Sequence, residues 1–365
     1  MLFHVTWNRP KSETELLAVA RKNLVSRLPY TWKLIERKQL RRSRARADLV
    51  LEAKAPDGSK GTILVAAKRT LEPRDIPRLL DRLRSYGDVV PLVVSDFLTP
   101  RAREISTECG AGYGDATGNF RLVMRKPALF IETTGASRDP WPEDKPLKSL
   151  KGAAAGRIVR ALCDFEPPFA VREFAKRAAV SAASASRVLM LLDREALVER
   201  DERGIVSRAG RVELIRRWIR DYSMIKSNRV ENFLEPRGIP ALLSKLRAAK
   251  FKYAVTGSLA ASWLAPLAPP RTVAIFVENI SKVAAAMDLR RADSGSNVML
   301  LEPFDPVVFA RTWERDGVRC AALSQLAADL LTGPGRAPAE GEELLKIIGS
   351  ASSQELRDPA LLKRS

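Results

Sequence analysis

An aspartate stands at the mouth of one short strand candidate and a lysine at the end of the next. The first stretch is "RADLVLEAK", with Asp48; the second is "ILVAAKRTL", with Lys68. Side by side, two such strands bring a carboxylate and an ammonium to one strand-end cleft. Phosphodiester hydrolysis in such a cleft needs hard oxygen ligands for Mg²⁺ and a group that orients the attacking water. A second carboxylate two residues before the lysine would complete the ligand set, and that position is Ala66. Glu52, Glu13 and Glu15 are the other acids to consider, yet none supplies a ligand at the end of the lysine strand without a shifted geometry. The competing reading is that Asp48 and Lys68 merely cap strand ends or pair with each other. Just upstream, "KLIERKQLRRSRAR" carries one acid, Glu36. Its Arg41, Arg42 and Arg44 are candidates for phosphate contact, against the alternative of a solvated strand face.

A second constellation lies in the middle of the chain. Helix candidates near 149–164 and 171–178 are followed by the short turn "AVS" and then by "SAASASRVLMLLDREAL". Ser181 is placed to cap this third helix, with Ser184 three residues on. Val188, Leu189, Leu191 and Leu192 share one face and are expected against Ile158, Leu162, Val171 and Phe174. The opposite face holds Ala183, Ser184, Ser186 and Arg187. Small residues permit close approach to a major groove, while hydroxyls and a forked guanidinium meet phosphates or base edges. "VERDERGIVS" then reads as strand, turn, strand, with Arg200 and Arg203 near the tip. The alternative is the same helical arrangement used for protein contact.

A third candidate is "YAVTGSLAASWLAP", a strand running through a Gly257–Ser258 turn into a helix of small residues. "LTGPGRAPAEGEELL" is a Gly/Pro turn before a helix and lacks the Lys-Ser/Thr end of a Walker loop.

The elements that must position these residues fall into three blocks. Residues 135–152, "GASRDPWPEDKPLKSLKG", read as a linker, and "SNRVENFLEPRGIP" (227–240) as a softer boundary. The first block mixes helix and strand. Ser12 is a candidate cap for a helix with Glu15 at the capping-box position; Thr99 caps another that has Pro100 in its first turn and stops at Gly110. The middle block is helical with a terminal hairpin, and the last alternates strand and helix. The 365 residues carry a formal charge of +19, most of it before residue 226. Such an excess points to a polyanionic partner, nucleic acid first and an acidic membrane surface second. No apolar run is long enough for a membrane span. Three scattered cysteines and one histidine, His4, argue against a zinc site of ordinary spacing and against His-centred catalysis.

Residues 12–132 resemble the PD-(D/E)XK nuclease superfamily, in particular its Mrr-like restriction branch. Asp48 matches the first acid and Lys68 the lysine. "LVVSDFLTPRAREISTECGAGYGDATGNFRL" resembles the strand, helix and Gly-rich turn that follow the site in that branch. The resemblance implies a metal-dependent nuclease fold, and Ala66 in place of the second acid implies one without its chemistry. Residues 148–208 resemble winged helix-turn-helix regulators. The Gly257–Ser258 turn is similar to the signature of nucleotidyltransferase folds, in which the turn backbone holds nucleotide phosphates. Those enzymes carry two carboxylates on the following strand; here "TVAIFVE" puts Ala274 and Phe276 at those positions. A winged helix joined to such a domain is similar to AbiEi-type antitoxin and regulator families of bacteria, although the nuclease-like front is not part of that pattern.

The sequence therefore predicts a multidomain α/β protein: a restriction-endonuclease-like domain over 1–138, a winged helix-turn-helix over 146–222 and a small, degenerate nucleotidyltransferase-like α/β domain over 236–350. The expected function is sequence-specific binding of double-stranded DNA in transcriptional regulation, without catalysis, cofactor or metal. The two enzyme-like domains are expected to serve DNA contact and assembly, as a homo-oligomer or with a protein partner on the terminal domain. The expected location is the cytoplasm, at the nucleoid, with no membrane contact. The rivals are a metal-dependent nuclease of a restriction or defence system and an antitoxin-like autorepressor that binds a toxin.

Overall fold

The computed structural model describes residues 7–37, 47–141, 147 and 149–359. The chain is a multidomain mixed α/β protein with two compact units, residues 1–146 with 194–196 and residues 147–193 with 197–365.

The first unit is a three-layer sandwich. Helix α1 (Glu13–Arg27) starts at Ser12, whose hydroxyl accepts the Glu15 N–H. The Glu15 carboxylate reaches one residue further back than a capping box requires and accepts from the Lys11 N–H at 2.7 Å. Strands β1 (Lys33–Arg37), β2 (Leu49–Lys54) and β3 (Lys60–Ala67) form an antiparallel meander. Helix α2 (Ile76–Arg84) leads to β4 (Val90–Ser95) and α3 (Pro100–Glu108) to β5 (Gly112–Asp115), both strands parallel to β3. Strands β6 (Phe120–Met124) and β7 (Leu129–Thr133) close the sheet antiparallel, so its order is that of the chain. The period of two along β3 sorts its side chains. Ile63, Val65 and Ala67 face Leu16, Ala20 and Leu24 of α1, while Leu64 and Ala66 face Ile76, Leu80 and Ile105 of α2 and α3. Leu16 and Leu24 are fully buried and each contributes about 2 kcal/mol by leaving water. Thr99 caps α3 through the Ala102 N–H, with Pro100 in the first turn, as expected.

The second unit opens with α4 (Ala153–Asp164), α5 (Val171–Arg177), α6 (Ala182–Arg194) and the hairpin β8 (Val198–Arg200) and β9 (Val206–Ala209). Phe169 adds a bridge to Val206. Helix α7 (Arg211–Trp218) follows. The stretch expected as a soft boundary instead holds strand β10 (Arg229–Leu234), inside a seven-stranded sheet. That sheet continues through α8 (Gly238–Arg247), β11 (Tyr253–Thr256), α9 (Gly257–Ser262), β12 (Val273–Val277), α10 (Ile280–Ala286), β13 (Arg290–Arg291), β14 (Val298–Glu302), β15 (Trp313–Arg315) and β16 (Val318–Cys320). Helices α11 (Leu323–Leu331), α12 (Ala337–Ser350) and α13 (Ser353–Arg357) end the unit.

The blocks expected as separate domains over 146–222 and 236–350 lie in this one unit and share one core. Helix α4 packs on α7 and α11, and α7 packs on α12. The joint is polar as well as apolar. Arg160 of α4 is fully buried and donates to the carbonyls of Val307 and Ala310. Asp164 accepts from Arg311 and from the Ser324 hydroxyl, and Arg157 donates to both oxygens of Asp305. Burial lowers the Arg160 pKa to about 10, opposed by the nearby Asp164 charge.

Candidate functional site

At the strand-end cleft of the first unit, Asp48 and Lys68 are each engaged separately. The Asp48 carboxylate accepts the Ala67 N–H at 2.8 Å, and the Asp48 N–H donates to the Val65 carbonyl. It ties β2 to the end of β3. Ala66 sits in the apolar layer with Ala47, Leu64 and Val93. Lys68 is half exposed, and its ammonium lies 3.9 Å from Asp75 rather than against Asp48. Glu52 pairs with Arg37 and Lys60. The Arg37 hydrogen bond, with the two neighbouring positive charges, holds its carboxyl below the ordinary range. Among the described residues no group of three or more His, Cys, Asp or Glu is placed to hold a metal ion. Arg41, Arg42 and Arg44 lie outside the described residues.

The Gly-rich turn after α3 has a structural task that its sequence did not announce. Asp115 is buried and accepts five hydrogen bonds, from the N–H groups of Leu98, Thr117 and Asn119, the Thr117 hydroxyl and the Asn119 amide. Asp96, also buried, accepts from Arg9 and Arg69. These carboxylates hold loops together in the way backbone caps do.

Helix α6 and the β8–β9 hairpin bring their candidate residues together unevenly. Ala185, Val188, Leu189, Leu191 and Leu192 commit one face of α6 to the core. Ser181 caps the helix, accepting the Ser184 N–H at 3.1 Å, and its hydroxyl also bonds the Ser184 hydroxyl at 3.0 Å. Both hydroxyls are thus partly occupied by the cap. Ser186 is half-buried and Arg187 exposed, with no ion pair or hydrogen bond to Arg187 among the described residues. One turn on, Met190 is 53 % exposed on the same stripe. At the wing, Arg200 folds back and its Nε donates to the Gly204 carbonyl at 3.3 Å. Arg203 projects from the tip, exposed. The tip is of mixed charge, because Glu199, Asp201 and Glu202 are exposed beside it.

The Gly257–Ser258 turn borders a cavity of about 460 Å³. Gly257 adopts φ +70°, a conformation that favours glycine, and a Cβ there would touch Ala274 at 3.4 Å. Ala274 and Phe276 are buried in an apolar cluster with Met224 and Leu301. The cavity also reaches Asp329 of α11, which the sequence reading missed. Asp329 is fully buried. It accepts from the Tyr222 hydroxyl at 2.6 Å, the Thr256 hydroxyl at 2.7 Å and the Gln325 amide at 2.8 Å. Burial raises its pKa from 3.8 to about 6, against the lowering effect of those three donors and of Arg160. Burial beside Asp329 pushes the Tyr222 phenol well up. The available signal was Gln325 and Asp329, one helical turn apart, in the largely apolar run "LSQLAADLL".

No helix among the described residues is long and apolar enough to cross a membrane. No family profile and no curated protein matches the chain. Among solved structures, a repair endonuclease from Pyrococcus abyssi is similar at 18% identity and a TM-score of 0.20, over 30% of this chain. The match spans about half of that protein's own length, 48%.

Proposed function

We propose that the protein binds double-stranded DNA sequence-specifically through α6 and acts as a regulator of transcription. The observation that carries this reading is Arg187. It stands exposed and unpaired on the free stripe of the second helix of a helix-turn-helix, beside Ser186, while the opposite face of that helix is committed to the core. A guanidinium so placed is free to meet guanine in a major groove. The net charge of +19 supplies the general attraction to phosphate. The first unit serves contact or assembly in this reading, since Asp48 is engaged with backbone and Ala66 offers no ligand atom.

The test is selection of a preferred site from random duplexes, followed by titration of the wild type and Arg187→Ala on that site and on a scrambled duplex. Arg187→Ala should lose about 1–3 kcal/mol on the selected site and relax preference at one base position. Unchanged affinity and selectivity, with helicity intact by circular dichroism, would show that α6 is not the reader.

A further inference from the structure

The cavity beside Gly257 has a lining with a distinct division of apolar and charged groups. Its walls are apolar: Met224 and Ala274 are buried, and Met299 and Leu330 stand beside them. Its mouth is cationic. Arg271 is exposed and has no hydrogen-bond or ion-pair partner among the described residues. Arg336, the other guanidinium at the mouth, is already held. Its Nε donates to Glu340 at 3.0 Å, and its Nη2 donates to the carbonyls of Ala268 and Pro269. That bond network ties the 268–269 loop to the start of α12 and frames the opening. The floor is the buried Asp329.

This distribution selects a ligand. A volume of about 460 Å³ falls in the range of small-molecule sites. Apolar walls take a hydrocarbon or aromatic body. The Asp329 carboxylate is fully buried and engaged by Tyr222, Thr256 and Gln325, so the depth offers no cation to an acid group and the ligand's charge belongs at the mouth, on Arg271. A polyphosphate that arrives with Mg²⁺ needs carboxylates to hold that cation. The strand that would carry those carboxylates carries Ala274 and Phe276 instead, both buried among apolar neighbours. We propose that this cavity is a binding site for a small organic anion, its apolar body seated against Met224, Ala274 and Met299 and its single acid group paired with Arg271.

The site stands independently of DNA binding, and so does its test. The probe is anilinonaphthalene sulfonate, an aromatic body with one sulfonate, titrated by fluorescence into the full chain. Saturable binding of one probe per chain is expected. Arg271→Glu should weaken it about tenfold or more, through loss of one charge-assisted contact and gain of a repulsion. Arg271 is exposed and unpaired, so this change leaves the fold intact. Arg290→Glu, at an exposed arginine of β13, should leave binding unchanged. Met299→Trp, which fills the cavity, should abolish it. Benzoate should displace the probe and MgATP should not. Absence of saturable binding would overturn the proposal. So would equal losses in the Arg271 and Arg290 variants, or displacement by MgATP but not by benzoate.

Discussion

Replacing Asp329 by Asn should stabilise the protein at neutral pH although it alters a buried, fully bonded side chain. Asp329 is the floor of the cavity and the acceptor for Tyr222, Thr256 and Gln325. Its carboxyl titrates at about 6 in the fold against 3.8 for the ordinary group, because desolvation outweighs the donors around it. Each pKa unit corresponds to about 1.4 kcal/mol, so holding the ionised form costs about 3 kcal/mol. The sign follows from proton binding. Between pH 4 and 6 the folded state holds this proton more often than the unfolded chain does. The contribution is therefore fully present below about pH 4 and is lost as pH rises through about 6. Asn mimics the protonated form. Its oxygen accepts from Tyr222 and Gln325 as Oδ1 does, and its amide faces Thr256, whose hydroxyl turns from donor to acceptor. Urea unfolding of the wild type and Asp329→Asn at pH 4.5 and pH 8 measures the effect. The gap in favour of Asn should be about 1 kcal/mol at pH 4.5 and about 3 kcal/mol at pH 8. Other carboxyls, such as Asp221 and Glu342, are shifted downward and shape the curve of both proteins alike, so the difference isolates position 329. A variant less stable than wild type at pH 8, or a pH-independent gap, would refute the assignment of a costly buried charge.

Arg160→Ala orphans the Val307 and Ala310 carbonyls and leaves a cavity, and should cost about 3–5 kcal/mol in urea unfolding. Because the core is shared, hydrogen exchange in this variant should accelerate in α6 and in β12 together; acceleration in α6 alone would contradict a single unit. Asp48→Ala should cost about 1–2 kcal/mol of stability through the orphaned Ala67 N–H, and neither it nor the wild type should cut plasmid in Mg²⁺ or Mn²⁺. Arg203→Ala should weaken binding to selected and scrambled duplexes alike and reduce the salt slope by about one, read by titration across a salt series. Arg200→Ala should change that slope less, since Arg200 already bonds the turn of the wing.

Local features were legible before the structure. The Ser12, Thr99 and Ser181 caps are each signalled by a hydroxyl just ahead of a helical run, and each accepts the expected N–H. The apolar stripe of α6 is likewise written in its spacing. What the sequence hid is what each face packs against. Periodicity shows that α4 is buried but not that Arg160 meets carbonyls about 150 residues away. A charged residue in a helix reads as surface until a partner is seen. Asp48 and Lys68 illustrate the converse: spacing brought both to one sheet, yet the carboxylate is engaged by the Ala67 N–H and the lysine lies toward Asp75. The cavity was hidden because its lining is drawn from five separate stretches, around Met224, Gly257, Arg271, Met299 and Asp329.

The buried Arg160 also bears on inheritance. A winged helix joined by a linker can be exchanged between genes as a cassette, the recombination junction falling in the linker. Here a junction between α7 and β10 would separate Arg160 from the carbonyls of Val307 and Ala310, and Asp164 from Arg311. Either fragment would expose a desolvated charge or bare backbone acceptors. Exchange that leaves a folded product must keep both sides of this joint together, so helices α4 to α6 and the cavity descend as one transmissible piece.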